Sequence, residues 1–169
     1  FDFDNDTAYH IDADLFGEYL RDNICVQNGV NHIIGDVNDV VIDAEGNISH
    51  LTCNNKIIKS DLYIDCTGFK SLLLEKNLNV PFISFKDELF NDKAISVRTP
   101  YINKESQMRS YTDCVAMSAG WIWNIPLWHR LGRGYCYSSK YIDKIEAEIE
   151  FKKYLKEITD AAKESNKII

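Results

Sequence analysis

Apolar positions recur along this chain with two different periods. Between Asp12 and Gly29, Phe16, Leu20 and Ile24 return every fourth residue, flanked by Leu15 and Tyr19, while Glu18, Arg21 and Asp22 supply the polar side. That spacing predicts an amphipathic helix with Asp12 as its N-cap and Gly29 as its stop. A second stripe, Phe151, Leu155, Ile158 and Ala162, follows Asp143 and Glu146, which have the spacing of a capping box. Glu148 stands four residues before Lys152, the favourable order for a helix ion pair. The polar run 163–169 is expected to fray.

Elsewhere the period shortens toward two. Val37–Ile42, Ile48–Cys53 and 56–60 are separated by Asp43-Ala44-Glu45-Gly46-Asn47 and by Asn54-Asn55, both turn-forming, which predicts a three-stranded meander. A further strand is expected over 61–65, ending at Cys66-Thr67-Gly68, with a short helix over 71–76. The stretch 80–91, with Pro81 and several aromatics, fits neither period. Residues 94–99, stopped by Pro100, and 111–117, 121–125 and 134–138 predict a second sheet, its last three strands separated by Ala119-Gly120 and Leu131-Gly132. The expected class is α+β, two sheets covered by two long helices.

Composition narrows the field. The 169 residues carry 26 acidic and 19 basic side chains, a formal charge of -7, which disfavours a nucleic-acid surface. No run approaches the ~20 apolar residues of a membrane-spanning helix. Cysteines 25, 53, 66, 114 and 136 form no CxxC pair, and the four histidines (10, 32, 50 and 129) show no metal-ligand spacing. Reduced, half-buried thiols of a cytoplasmic protein with no metal site are therefore expected. The opening Phe1-Asp2-Phe3-Asp4-Asn5-Asp6, with no initiator Met, suggests an internal piece of a longer protein.

Two segments suggest chemistry. A strand stopping at Thr67-Gly68 lets a ligand approach the backbone, because glycine has no Cβ. Helix, meander, then a strand ending Asp-x-Thr-Gly is the order of the second half of many FAD-binding domains. None of the eight glycines builds a GxGxxG pyrophosphate loop, and Gly132-Arg133-Gly134 is only a GxG. In Trp121-Ile122-Trp123-Asn124-Ile125-Pro126, strand alternation puts Trp121, Trp123 and Ile125 on one face as an aromatic wall, with Pro126 ending the pairing. Taken alone, that wall reads more readily as ordinary aromatic core.

The whole string matches the W-x-W-x-I-P motif of the flavin-dependent tryptophan halogenases at every fixed position. Ala8-Tyr9-His10-Ile11-Asp12-Ala13 resembles that family's Tyr-His-Phe-Asp-Ala segment, and Asp65-Cys66-Thr67-Gly68-Phe69-Lys70-Ser71-Leu72-Leu73 its Asp-Cys-Ser/Thr-Gly-Phe-Arg stretch. Arg130-Leu131-Gly132-Arg133-Gly134-Tyr135, followed by Ser138-Ser139, is similar to its Arg-x-Gly-x-Gly-Tyr and Ser-Ser run. Lys70 departs from the usual Arg, keeping the charge and losing the planar fork. The similarity runs from about Tyr9 to Leu155.

The resemblance implies the central part of an FAD-dependent oxidoreductase of the hydroxylase/halogenase fold. It implies reduced FAD delivered by a separate flavin reductase, oxygen, and a halide converted to hypohalous acid. That oxidant reaches an active-site Lys beside a Glu and halogenates tryptophan or a similar aromatic. The family's catalytic Lys falls upstream of the matched region and its Glu downstream, so no catalytic residue is assigned to this chain. Val37, Thr67 and Gly68 are expected near FAD. Trp121, Trp123, Ile125 and Pro126 are expected to form the partition between flavin and substrate.

The chain is read as one structural unit: 1–78 the second half of an FAD-binding region, 79–142 the sheet bearing the Trp motif, 143–169 helix and tail. Two other readings stay open, a flavin hydroxylase fragment and a non-catalytic domain that binds a ligand or partner through its aromatic wall. The isolated chain is expected to hold FAD weakly, to be inactive, and to self-associate through exposed sheet edges.

Overall fold

A computed structural model describes residues 8–165. The acidic opening, the last four residues of the polar tail and the Ala162 side chain lie outside the described residues. The chain divides into two compact units, one formed by Tyr19–Ser84, the other by Phe85 onward together with the residues up to Glu18. The divisions expected from the sequence fall after 78 and 142.

In the first unit, β1 (Val37–Ile42), β2 (Ile48–Cys53) and β3 (Lys56–Ile58) form an antiparallel sheet in that order. Asp43 Oδ1 accepts the amides of Glu45 and Asn47 and so fixes the first turn. The second turn joins Cys53 to Lys56 through Asn54 and Asn55 at φ 49° and 63°, the positive pair a two-residue hairpin loop requires. Residues 61–65 do not form the expected strand. No described strand offers them a ladder, and Leu62 and Ile64 both stand exposed. The expected helix at 71–76 is likewise replaced by wide turns, with Lys76 and Leu78 donating to the carbonyls of Ser71 and Leu73.

The N-terminal helix begins as expected, Asp12 Oδ1 accepting from the amides of Asp14 and Leu15. The α1 helix proper is short, Ala13–Tyr19. It passes into a π-type turn, Leu20–Cys25, then a 3-10 turn, Val26–Asn28, stopped at Gly29 with φ 88°. Side-chain amides explain the widening. Asn23 donates to Tyr19 O and Asn28 to Ile24 O, the acceptors that an α-helical ladder would use. No residue of α1 is buried, so of the two long helices expected, one is short and uncovered.

The other unit is a four-stranded antiparallel sheet in the order β4 (Lys93–Thr99), β7 (Leu131–Tyr137), β6 (Gly120–Pro126), β5 (Asp113–Met117). Leu131 and Gly132, expected in a turn, begin β7 instead, and the hairpin turns at Leu127–Arg130, where Leu127 N donates to Arg130 O. A one-turn helix, α2 (Lys104–Gln107), precedes β5. The long helix α3 (Lys144–Ser165) opens with the anticipated capping box. Asp143 Oδ1 accepts from Ile145 and Glu146 N, and Glu146 Oε2 accepts from Asp143 N. Its Ala147 and Phe151 close with Ile122, Tyr135 and Tyr137 into the core. Glu150 reaches into this layer, where its Oε2 accepts from the Tyr135 hydroxyl at 2.7 Å and from Ser118 Oγ at 2.9 Å. No helix among the described residues is long and apolar enough to cross a membrane.

Candidate functional site

Alternation along β6 sends Ile122, Asn124 and Pro126 under α3, where all three are buried, and Trp121, Trp123 and Ile125 to the opposite face. The two indoles lie 6.0 Å apart between centroids, tilted by 59°. Small residues surround them: Ala116 and Cys136 stand opposite Trp121, and Cys114 and Gly134 opposite Trp123. Trp121 is 39% exposed, whereas Trp123 is half-buried against β7. A Cβ on Gly134 would enter the Trp123 six-membered ring and stand 2.6 Å from its Cε2, so only glycine leaves room for the indole to lie down. Neither indole N–H donates a hydrogen bond among the described residues, which suits a wall more than a proton-transfer group.

Three of the motif segments meet at the end of this hairpin. His10 Nδ1 lies 3.0 Å from Pro126 O, which makes Nδ1 the protonated nitrogen and leaves Nε2 to accept from Thr112 Oγ1 at 3.4 Å. Arg130 Nη2 donates to Asp12 Oδ2 at 2.6 Å, and His129 Nε2 lies 3.3 Å from the same oxygen. Burial opposes a charge on Asp12. The Leu15 amide and the Arg130 guanidinium outweigh it and hold the carboxyl below its usual range. Asp12 thus serves as helix cap and as anchor of the Trp hairpin. Sequence reading assigned it only the first task, because the second partner lies 118 positions away.

The Thr67-Gly68 turn is organised by Asp65. Its Oδ1 accepts from Thr67 N and Oγ1 at 3.0 and 2.7 Å, and its Oδ2 from Leu73 and Leu74 N at 2.8 and 3.3 Å. These bonds, the Thr67 hydroxyl foremost, bring its pKa down to about 2. Thr67 Oγ1 also accepts from Leu72 N, so its proton and one lone pair go into shaping the turn. Gly68, at φ 62°, leaves open space where a side chain would stand. Val37 is half-buried at the start of β1, opposite Cys53 and beside a register shift. Because β1 is an edge strand, half its backbone groups point away from β2.

Under α3 lies a polar group that the sequence did not announce. Arg133 Nε donates to Asn124 Oδ1 at 3.0 Å and Nη1 to Thr99 Oγ1 at 2.9 Å, and Asn124 Nδ2 donates to the Tyr154 hydroxyl at 2.9 Å. The signal was the alternation itself, which puts Asn124 and Arg133 on the buried face. All five cysteines are free, with Cys53 buried but Cys66 and Cys114 exposed, so not every thiol is half-buried as expected. Among the described residues no group of three His, Cys, Asp or Glu could hold a metal ion.

The model of the tryptophan halogenase family matches residues 4–168. The 7-chloro-L-tryptophan 6-halogenase KtzR of Kutzneria sp. (strain 744) is 41% identical over 88% of this chain and 29% of its own. Among solved structures, VirX1 in its apo form aligns with a TM-score of 0.87 at 51% identity, covering 92% of this chain and 30% of its own. The tryptophan 6-halogenase SttH of Streptomyces toxytricini aligns with a TM-score of 0.81 at 38% identity, over 86% of this chain and 29% of its own. The chain therefore spans under a third of the length of these relatives. A sheet whose paired tryptophans rest on a glycine, hooked to an N-terminal His-x-Asp segment, thus coincides with a family match across nearly every residue: the chain belongs to the tryptophan halogenase family.

Proposed function

We propose that this chain is the central portion of a flavin-dependent halogenase that uses reduced FAD, oxygen and a halide to halogenate tryptophan or a similar aromatic. The observation that carries the reading is the pair Trp121 and Trp123, side by side on an open sheet face with both indole N–H groups uncommitted. Bulky rings there exclude an aromatic substrate from the flavin while leaving a path for a small oxidant. A hydroxylase, which brings its substrate to the flavin, has no use for such a wall.

FAD, when bound, supplies the oxygen-activating chemistry. Val37 and Gly68 would hold it through backbone, from the free edge of β1 and from the open turn. Thr67 contributes by fixing that turn, since its hydroxyl proton is already given to Asp65 and its oxygen accepts from Leu72. Ile125 extends the indole face, whereas Pro126, expected in the partition, lies on the buried face under α3, its carbonyl held by the His10 ring. The aromatic substrate, the halide and a flavin reductase are the partners this reading requires, in a cytoplasmic setting.

The test uses the longer coding sequence around this chain, expressed whole and supplied with a flavin reductase, FAD, bromide and free tryptophan or indole. A brominated product by mass spectrometry supports the reading. Hydroxylated product, or reduced flavin consumed with no halogenated aromatic, overturns it. The 169 residues alone are expected to purify without a flavin spectrum.

A further inference from the structure

Arg133 is only 6% exposed, yet both of its acceptors are neutral, and no described carboxylate pairs with it. A buried guanidinium held only by an amide and a hydroxyl keeps an uncompensated positive charge, an expensive arrangement unless something negative arrives. Its third nitrogen, Nη2, has no acceptor among the described residues. Because no buried side-chain nitrogen or oxygen goes unpartnered, Nη2 must be accessible. Arg133 lines a cavity of about 330 Å³ beside α3, the space open to this nitrogen. Tyr154 shares the cavity, and its hydroxyl accepts from Asn124 while its own proton has no acceptor among the described residues. Burial raises the Tyr154 pKa, which keeps that proton in place.

Two donors thus converge on one space, and the rest of its wall selects among anions. Pro126, Leu131, Ile158 and Ala161 make one side apolar. Arg109 and Asp113 also line the cavity, so the lining carries two positive charges and one negative. The Asp113 carboxylate disfavours a dianion such as phosphate. The volume lies at the lower end of the range for small-ligand sites.

We propose that this cavity binds a small monocarboxylate with an apolar body, its carboxylate received by Arg133 Nη2 and the Tyr154 hydroxyl. The site lies under α3, on the sheet face opposite Trp121 and Trp123, and it stands whether or not the halogenase reading holds.

Sodium benzoate titrated into the 169-residue chain, followed calorimetrically and by amide NMR, tests the proposal against sodium chloride at the same ionic strength. Saturable benzoate binding is expected, with shifts at Arg133, Tyr154 and Ile158 that chloride does not produce. Arg133→Gln should weaken it by about tenfold or more, the loss of one charge-assisted hydrogen bond. Ala161→Phe fills the cavity without touching the guanidinium and should weaken binding comparably, with the circular dichroism spectrum unchanged. A benzoate response no larger than that of chloride, or binding undiminished in folded Ala161→Phe, overturns the assignment.

Discussion

Gly134 lies directly beneath the Trp123 indole, across a non-slipped pair of strands in which residue 123 faces residue 134. The Arg-x-Gly-x-Gly-Tyr run and the Trp-x-Trp-x-Ile-Pro run are therefore two halves of one packing unit. The glycine belongs to the tryptophan and not to a phosphate.

Gly134→Ala should consequently be costly for so small a change. The added methyl enters the ring, and Trp123 must leave its position or β7 must bow. A loss of about 1–3 kcal/mol by urea denaturation is expected, typical of an overpacked site, with an altered near-ultraviolet tryptophan spectrum. An unchanged midpoint would show that the ring has somewhere else to go.

The two tryptophans should answer differently to truncation. Trp121→Ala removes a side chain that is already 39% exposed and is expected to change stability by about 0.5 kcal/mol or less. Trp123→Ala removes a ring seated on β7 and should cost about 2–3 kcal/mol, below the value for a fully buried aromatic. Urea unfolding of both variants separates a face residue from a packing residue.

Tyr135 is fully buried, donates to Glu150 Oε2 at 2.7 Å and accepts from Ala119 N at 3.4 Å, so Tyr135→Phe keeps the core shape but deletes a charge-assisted bond and the Ala119 amide's acceptor. A loss of about 1–2 kcal/mol is expected. Burial alone would raise the Glu150 pKa, but the bonds from Tyr135 and Ser118 prevail and lower it. A lowered folded pKa means stability present above the ordinary glutamate value and lost as the pH falls through the folded one. The wild-type chain should therefore lose more stability on acidification than Tyr135→Phe does.

Asp65 gives a more local acid transition. With its pKa at about 2, the bonds to Thr67, Leu73 and Leu74 persist below the usual aspartate range and fail only as the pH falls toward that value. The amide shifts of Leu73 and Leu74 should report this midpoint. In Asp65→Asn, whose amide nitrogen cannot accept, exchange at Leu73 and Leu74 should quicken on the order of tenfold at neutral pH.

Much of this architecture was legible because it rests on local rules. The meander follows from Asn54-Asn55 and the Asp43 turn, and α3 from its capping box and its stripe through Phe151. Failures came where the decisive partner is distant or competes locally. Residues 61–65 alternate like a strand but have no strand to pair with among the described residues. The helix after Asp12 has the right apolar period, yet Asn23 and Asn28 take the carbonyls its ladder needs. Of the candidate site, the tryptophan face could be read from alternation. Gly134 could not, because its meaning depends on a hairpin turn at Leu127–Arg130 that the sequence reading put elsewhere. The buried Arg133 was hidden for another reason: charge in a sequence is read by default as surface.

The bridge from Asp12 to Arg130 also orders events in time. Its two ends are 118 positions apart, so the loop-closure cost is met only after the intervening hairpin has formed and presents Arg130. As the chain is made from its N-terminus, Asp14 can meet Arg98 early, but the contacts of Asp12 with Arg130 and of His10 with Pro126 cannot form until the Trp hairpin has been synthesised. Closure of that bridge is thus a late folding step, and its completion reports that the tryptophan hairpin is already built.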